Sequence, residues 1–240
     1  MLQTGFLSRE TTLFRKPCRY QVYVPPGFSA DRAWPVILFL HNNNEGGRDG
    51  LRQTEVGIGP AIRRNPERFP AVVVFPQAPL GYPWRGPTAG LALKCLDHAL
   101  EEFRGDPDRV YLTGVTLGGY GTWRLALRNP NRFAALVPIG GGLDVPGQRN
   151  VMRPTDLADP LPEPYLEAAR KLKHLSTWLF HGEEDSVISV SESRVMALAL
   201  QQVGAPVRYT EYPDVNHMAW EPAYAEPELL PWLLSQRRKG

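Results

Sequence analysis

Val110-Tyr111-Leu112-Thr113-Gly114-Val115-Thr116-Leu117-Gly118-Gly119 decides how this chain is to be read. Its first half is a short apolar run of strand-forming residues. Its second half is rich in small residues and leads through Tyr120-Gly121-Thr122-Trp123 into a helical pattern over 119–127. A strand, a sharp glycine-lined turn and a helix, with a hydroxyl at the apex, have the form of a nucleophile elbow, G-x-S-x-G, with threonine in place of serine. The glycines let strand and helix pass closely, while the central side chain projects from the strand's C-terminal end. Taken alone, Thr116 also reads as an ordinary helix N-cap.

Working outward, the flanking sequence alternates strand and helix. Tyr20, Val22 and Val24 alternate with polar neighbours before Pro25-Pro26-Gly27, the pattern of a strand and a turn. Val36–Leu40, Ala71–Phe75, Ala134–Ile139 and Thr177–Phe180 are near-continuous apolar runs, as strands buried on both faces are, and Val207–Tyr212 adds a sixth to the strands around the elbow. Helical stretches fall at 91–103, with Leu91, Cys95, Leu96 and Leu100 on one stripe, and at 191–203. A C-terminal one over 222–236 contains Pro227 and Pro231 and is expected to be kinked or broken. The pattern predicts one α/β domain over 1–240, a mostly parallel sheet with helices on both faces. The proline-rich segment 143–164 is expected to be a surface excursion or small cap over the sheet.

Composition narrows the function. Lys and Arg number 27 against 25 Asp and Glu, a net charge of +2, too small for a nucleic-acid or polybasic membrane surface. No run is long and apolar enough to span a bilayer, and Met1–Phe14 lacks a continuous apolar core, so no signal peptide is read. Cys18 and Cys95 show no metal or redox spacing and read as free thiols, giving a cytoplasmic expectation. Neither a metal site nor a nucleotide loop is expected: the chain has no His-x-x-x-His or Cys-x-x-Cys, and the Gly114–Gly119 turn lacks the lysine of a P-loop.

Two further segments complete a catalytic pattern in the order nucleophile, acid, histidine. His181-Gly182-Glu183-Glu184-Asp185 follows the strand at 177–180 and delivers Asp185 at its exit. Pro213-Asp214-Val215-Asn216-His217 follows the next strand and delivers His217. All three residues fall where open α/β sheets place their sites. Glu183 and Glu184 read as solvated, Asp214 as the weaker acid, and His41 and His181 as structural.

With these motifs, and with Gln77-Ala78-Pro79 and Asn216-His217 before Trp220, the chain resembles α/β-hydrolases of the small carboxylesterase, phospholipase and dienelactone-hydrolase group. The resemblance runs from about Cys18 to Gln236. It implies an α/β-hydrolase fold and a cofactor-free hydrolase for small-molecule esters, with a nucleophile at 116, acid Asp185 and base His217. It also implies an oxyanion hole from the Leu117 N–H and the loop after His41. Trp84 and Trp220 are candidates for lining the substrate pocket. No nucleic-acid or membrane partner is implied, and oligomeric state is left open.

The sequence departs from that group at two places on the reaction centre. The nucleophile position holds Thr116, and the loop that would open His-Gly reads His41-Asn42-Asn43-Asn44-Glu45-Gly46-Gly47. A threonine adds a methyl beside the attack path, and a β-branched residue resists the positive φ of an elbow. Asn42, Asn43 and Asn44 carry amide donors, so at least one is expected to point between Thr116 and His217 and bind an oxyanion. Two alternatives follow. A diverged or redesigned site would use His217 and the asparagines to activate water without covalent catalysis. A non-catalytic ligand-binding protein would keep the scaffold alone.

Overall fold

The computed structural model describes residues 3–143 and 164–238. Eight strands run in chain order: β1 (Gly5–Leu13), β2 (Lys16–Val24), β3 (Trp34–Leu40), β4 (Val72–Phe75), β5 (Gly105–Val115), β6 (Ala135–Ile139), β7 (Ser176–Gly182) and β8 (Val207–Tyr212). The described helices are α1 (Ile58–Arg64), α2 (Pro87–Glu102), α3 (Leu117–Arg128), α4 (Pro164–Leu172), α5 (Ser191–Gln202), α6 (Trp220–Ala225) and α7 (Leu229–Ser235). The sheet order is β1-β2-β4-β3-β5-β6-β7-β8. β1 and β2 are antiparallel to their neighbours, and every pairing from β4 onward in that order is parallel.

Side-chain alternation divides the core into two layers. On one face Val36, Leu38 and Leu40 of β3 and Val110 and Leu112 of β5 pack with residues of α2, α3, α4 and α5, such as Leu91, Trp123, Ala168 and Met196. On the other, Ile37, Phe39, Tyr111 and Val115 pack with Ile58 of α1, Tyr224 of α6 and Leu230 of α7. Burial on both faces explains why these strands read as unbroken apolar runs.

Each strand read from the sequence is present, and the C-terminal helix is broken between α6 and α7, as Pro227 predicts. β1 carried no readable signal: it is an edge strand whose outer side chains are largely polar, held by its antiparallel register with β2. α1 was hidden by Gly59 and Pro60 in its first turn. The expected excursion over 143–164 lies, apart from its two end residues, outside the described residues.

The parallel registers bring several strand exits to one edge. Leu40 pairs with Gly114, Gly114 with Pro138, Val115 with Ile139, and Gly182 with Tyr212. Where β5 turns into α3 the backbones nearly touch: a Cβ on Gly118 would lie 1.9 Å from the Leu40 carbonyl oxygen. Gly118→Ala therefore requires the end of β3 or the start of α3 to move. It is expected to cost about 3 kcal/mol or more, or to give insoluble protein. A chemical-denaturation midpoint equal to the parent's would contradict this reading of the turn.

Candidate active site

Thr116 occupies the single residue between β5 and α3, with φ 49° and ψ −106°. Its N–H donates to the Ile139 carbonyl at 2.9 Å, and its own carbonyl accepts the Tyr120 N–H at 3.1 Å. The turn is thus pinned from both the neighbouring strand and the helix. The hydroxyl is not a helix cap, since no side-chain capping bond forms; Oγ1 donates instead to Asn42 Oδ1 at 3.0 Å. Leu117 opens α3, so its N–H has no intrahelical acceptor by position and lies at the positive end of the helix dipole.

Asp185 and His217 meet from adjacent loops. The exit of β7 is tied to the exit of β8 by Glu183 N–H to Tyr212 O and Glu184 N–H to Val215 O, both 3.0 Å. Gly182 is required there, because a Cβ would strike the Asn216 and Val215 carbonyls at 2.2 and 2.3 Å. Asp185 Oδ1 accepts the N–H groups of Val187 and Ile188 at 2.8 Å each. Its Oδ2 lies 2.8 Å from His217 Nδ1. A carboxylate can only accept, so His217 carries its proton on Nδ1 and leaves Nε2 as a free base. The His217 ring is edge-on to Trp220, with centroids 5.5 Å apart. Burial opposes ionisation of Asp185, but bonds from His181, His217 and the Ile188 and Val187 backbone outweigh it. They hold its carboxyl well below the usual carboxylate range. Glu183, Glu184 and Asp214 are exposed, and among the described residues Asp185 is the carboxylate that reaches His217.

The loop after β3 is braced from beneath. Buried His41 accepts the Ala78 N–H on Nε2 at 3.0 Å and donates from Nδ1 to the Asn42 carbonyl. Gln77 Oε1 accepts the Gly50 N–H at 2.8 Å, and its Nε2 donates to the Glu45 carbonyl at 3.0 Å. Gln77-Ala78 is therefore the strut of this loop. Desolvation pushes His41 down to about 4, so it is neutral near pH 7.

Of the three asparagines, Asn42 alone is brought to Thr116, and it presents its amide oxygen there where a donor was expected. Asn43 and Asn44 are exposed in a short 3-10 turn over Asn43–Glu45. Trp84 corrects another expectation: it is 1% exposed, donates Nε1–H to the His41 carbonyl at 2.9 Å and packs on Gly121 of α3. It anchors the loop and offers no surface to a ligand. His181, read as structural, lies against Asp185, and Ser193, which carried no signal in the sequence, bonds to His181 behind it; the His181-Gly182 motif was the one pointer to this pair.

A model of the prolyl oligopeptidase family matches residues 92–233. A dipeptidyl-peptidase 5 of Porphyromonas gingivalis is 24% identical over 85% of this chain and 33% of its own length. A probable carboxylic ester hydrolase of Mycobacterium tuberculosis is 30% identical over 52% of this chain and 36% of its own. The chain thus spans about a third of these curated relatives. Among solved structures, a thermostable esterase is 28% identical with a TM-score of 0.81, over 98% of this chain and 63% of that one.

The buried His41 has a measurable consequence. Between its ordinary value of about 6.5 and its folded value of about 4, the unfolded chain binds a proton that the folded chain refuses. Stability from this group is complete above about pH 6.5 and falls by about 3 kcal/mol as pH drops to 4. In denaturant titrations, the stability gap between the parent and His41→Gln should narrow by about that amount from pH 7 to 4. A gap constant with pH would contradict the assignment.

Proposed function

This chain belongs to the prolyl oligopeptidase family and has the α/β-hydrolase fold, and on that premise we propose that it hydrolyses carboxylic esters, small or aryl ones, with Thr116 as nucleophile. The observation that carries this reading is the 2.8 Å Asp185–His217 bond, which frees Nε2 at the edge where the Thr116 hydroxyl emerges at positive φ.

In the first half-reaction His217 Nε2 takes the Thr116 proton as Oγ1 bonds to the ester carbonyl carbon. The negative charge passes to the carbonyl oxygen, which the Leu117 N–H and the loop after His41 stabilise. Collapse of this intermediate breaks the bond to the alcohol, which leaves with the proton from His217, and an acyl-threonine remains. Water, deprotonated by His217, then releases the acid and restores Thr116. Asp185 keeps the imidazole in the required tautomer throughout.

The Thr116–Asn42 bond modifies this scheme. In the resting site the hydroxyl proton rests on an amide oxygen, and His217 must win it from there. That bond also favours one second reading, in which Thr116 stays an alcohol and His217 activates water directly.

Steady-state hydrolysis of an aryl acetate separates these. His217→Ala should lower kcat by about 10²–10⁴-fold, and activity within threefold of the parent would remove His217 from the mechanism. Thr116→Ser should raise kcat by removing the methyl; an unchanged or lower rate would favour direct attack by water. Asn42→Ala removes a competing acceptor, a bond of about 1 kcal/mol, and should raise the rate about fivefold. A tenfold fall in kcat at constant KM would instead make Asn42 an oxyanion donor.

A further inference from the structure

Asp185 Oδ2 is approached from two sides. His217 Nδ1 lies 2.8 Å away on one, and His181 Nε2 lies 3.3 Å away on the other. The His181 ring is fully buried. Its Nε2 is also 3.0 Å from the Ile188 carbonyl oxygen, and its Nδ1 is 2.7 Å from Ser193 Oγ. A carbonyl oxygen accepts and never donates, so His181 carries its proton on Nε2. In a neutral ring the other nitrogen then accepts, and the Ser193 hydroxyl donates to it. Ser193, the second residue to be 1% exposed or less in this network, is thereby aimed at the ring and away from any substrate. Ser193, His181 and Asp185 have the composition of a triad, but their burial rules out a second nucleophilic site.

The consequence falls on the carboxylate. The torsion that turns a carboxyl group is broad and two-fold, so a carboxylate held at one oxygen retains freedom at the other. Here Oδ1 is held by two backbone N–H groups from the Val187–Ile188 turn, and Oδ2 accepts the His217 Nδ1–H while the His181 Nε2–H, bonded to the Ile188 carbonyl, lies 3.3 Å away and is shared with it. We propose that His181, set in its tautomer by Ser193, is a positioning residue that pins Asp185 Oδ2 in line with His217 Nδ1. The chain Ser193–His181–Asp185–His217 then runs from the buried start of α5 to the catalytic edge. This inference rests on the role proposed for Asp185 and His217. Hydrogen bonds to an ionised group are among the stronger ones, so loss of this donor should be felt at His217.

The test reads the Asp185–His217 hydrogen bond directly, as the downfield His217 Nδ1–H proton resonance in histidine-labelled protein, assigned by its loss in His217→Ala. A second readout is the rate at which an organophosphonate labels Thr116. In His181→Leu the resonance should shift or broaden, and labelling should slow about tenfold or more. His181→Gln, which can return an N–H to the same place, should recover most of both. A folded His181→Leu protein with the parent's resonance and a labelling rate within twofold would overturn the proposal. Should His181→Leu fail to fold, Ser193→Ala decides: a shifted resonance supports the positioning chain, and an unchanged one overturns it. If the parent itself is not labelled, the reading of Thr116 as nucleophile fails while the resonance still tests the positioning role.

Discussion

The backbone of Thr116 is the constraint around which this edge of the molecule is arranged. A β-branched residue at positive φ costs on the order of 1–3 kcal/mol and persists only where its surroundings leave no alternative. Those surroundings are specific. Ile139 and Tyr120 fix the peptide groups on either side, and Gly118 lets α3 start against the end of β3. In return the hydroxyl stands at the head of α3, outside the helix's own hydrogen bonding and within reach of the loop after β3. The parallel registers of β3, β5, β7 and β8 then bring every other site residue to that edge.

Charge in the site is organised around Asp185. Two backbone N–H groups and the His217 imidazole bond to one carboxylate, with the His181 N–H shared at 3.3 Å, and together they outweigh the desolvation that burial imposes. His217 receives its tautomer from this arrangement, and with it the free Nε2 on which the proposed chemistry depends. His41 has the opposite electrostatics. It is neutral, holds no carboxylate, and serves to carry the asparagine loop on Ala78 and Trp84.

Much of this was legible in the residues because the physics is local. Apolar runs such as Val36–Leu40 announce strands buried on both faces, and Gly114-x-Thr116-x-Gly118 announces a turn that larger residues could not make. Asp185 and His217 were readable because each directly follows a strand exit. What could not be read depends on contacts distant in sequence. β1 exists through its pairing with β2. Trp84 looked like a pocket wall, but Gly121 leaves a space that it fills. Nothing local tells which way an amide turns, so Asn42 was expected as a donor and is found accepting from Thr116. Ser193 lies on a helix whose periodicity says only that this face is inward; its bond to His181 appears once β7 and α5 are packed.

The central claim, that Thr116 is a working nucleophile activated by His217, is tested most directly by covalent trapping. The folded protein would be treated with an organophosphonate, digested and examined by peptide mass spectrometry, in parallel with His217→Ala. The account predicts a phosphonyl adduct on the peptide containing Thr116 in the parent, formed far more slowly in His217→Ala. Ester turnover by the parent with no adduct at Thr116 would contradict it.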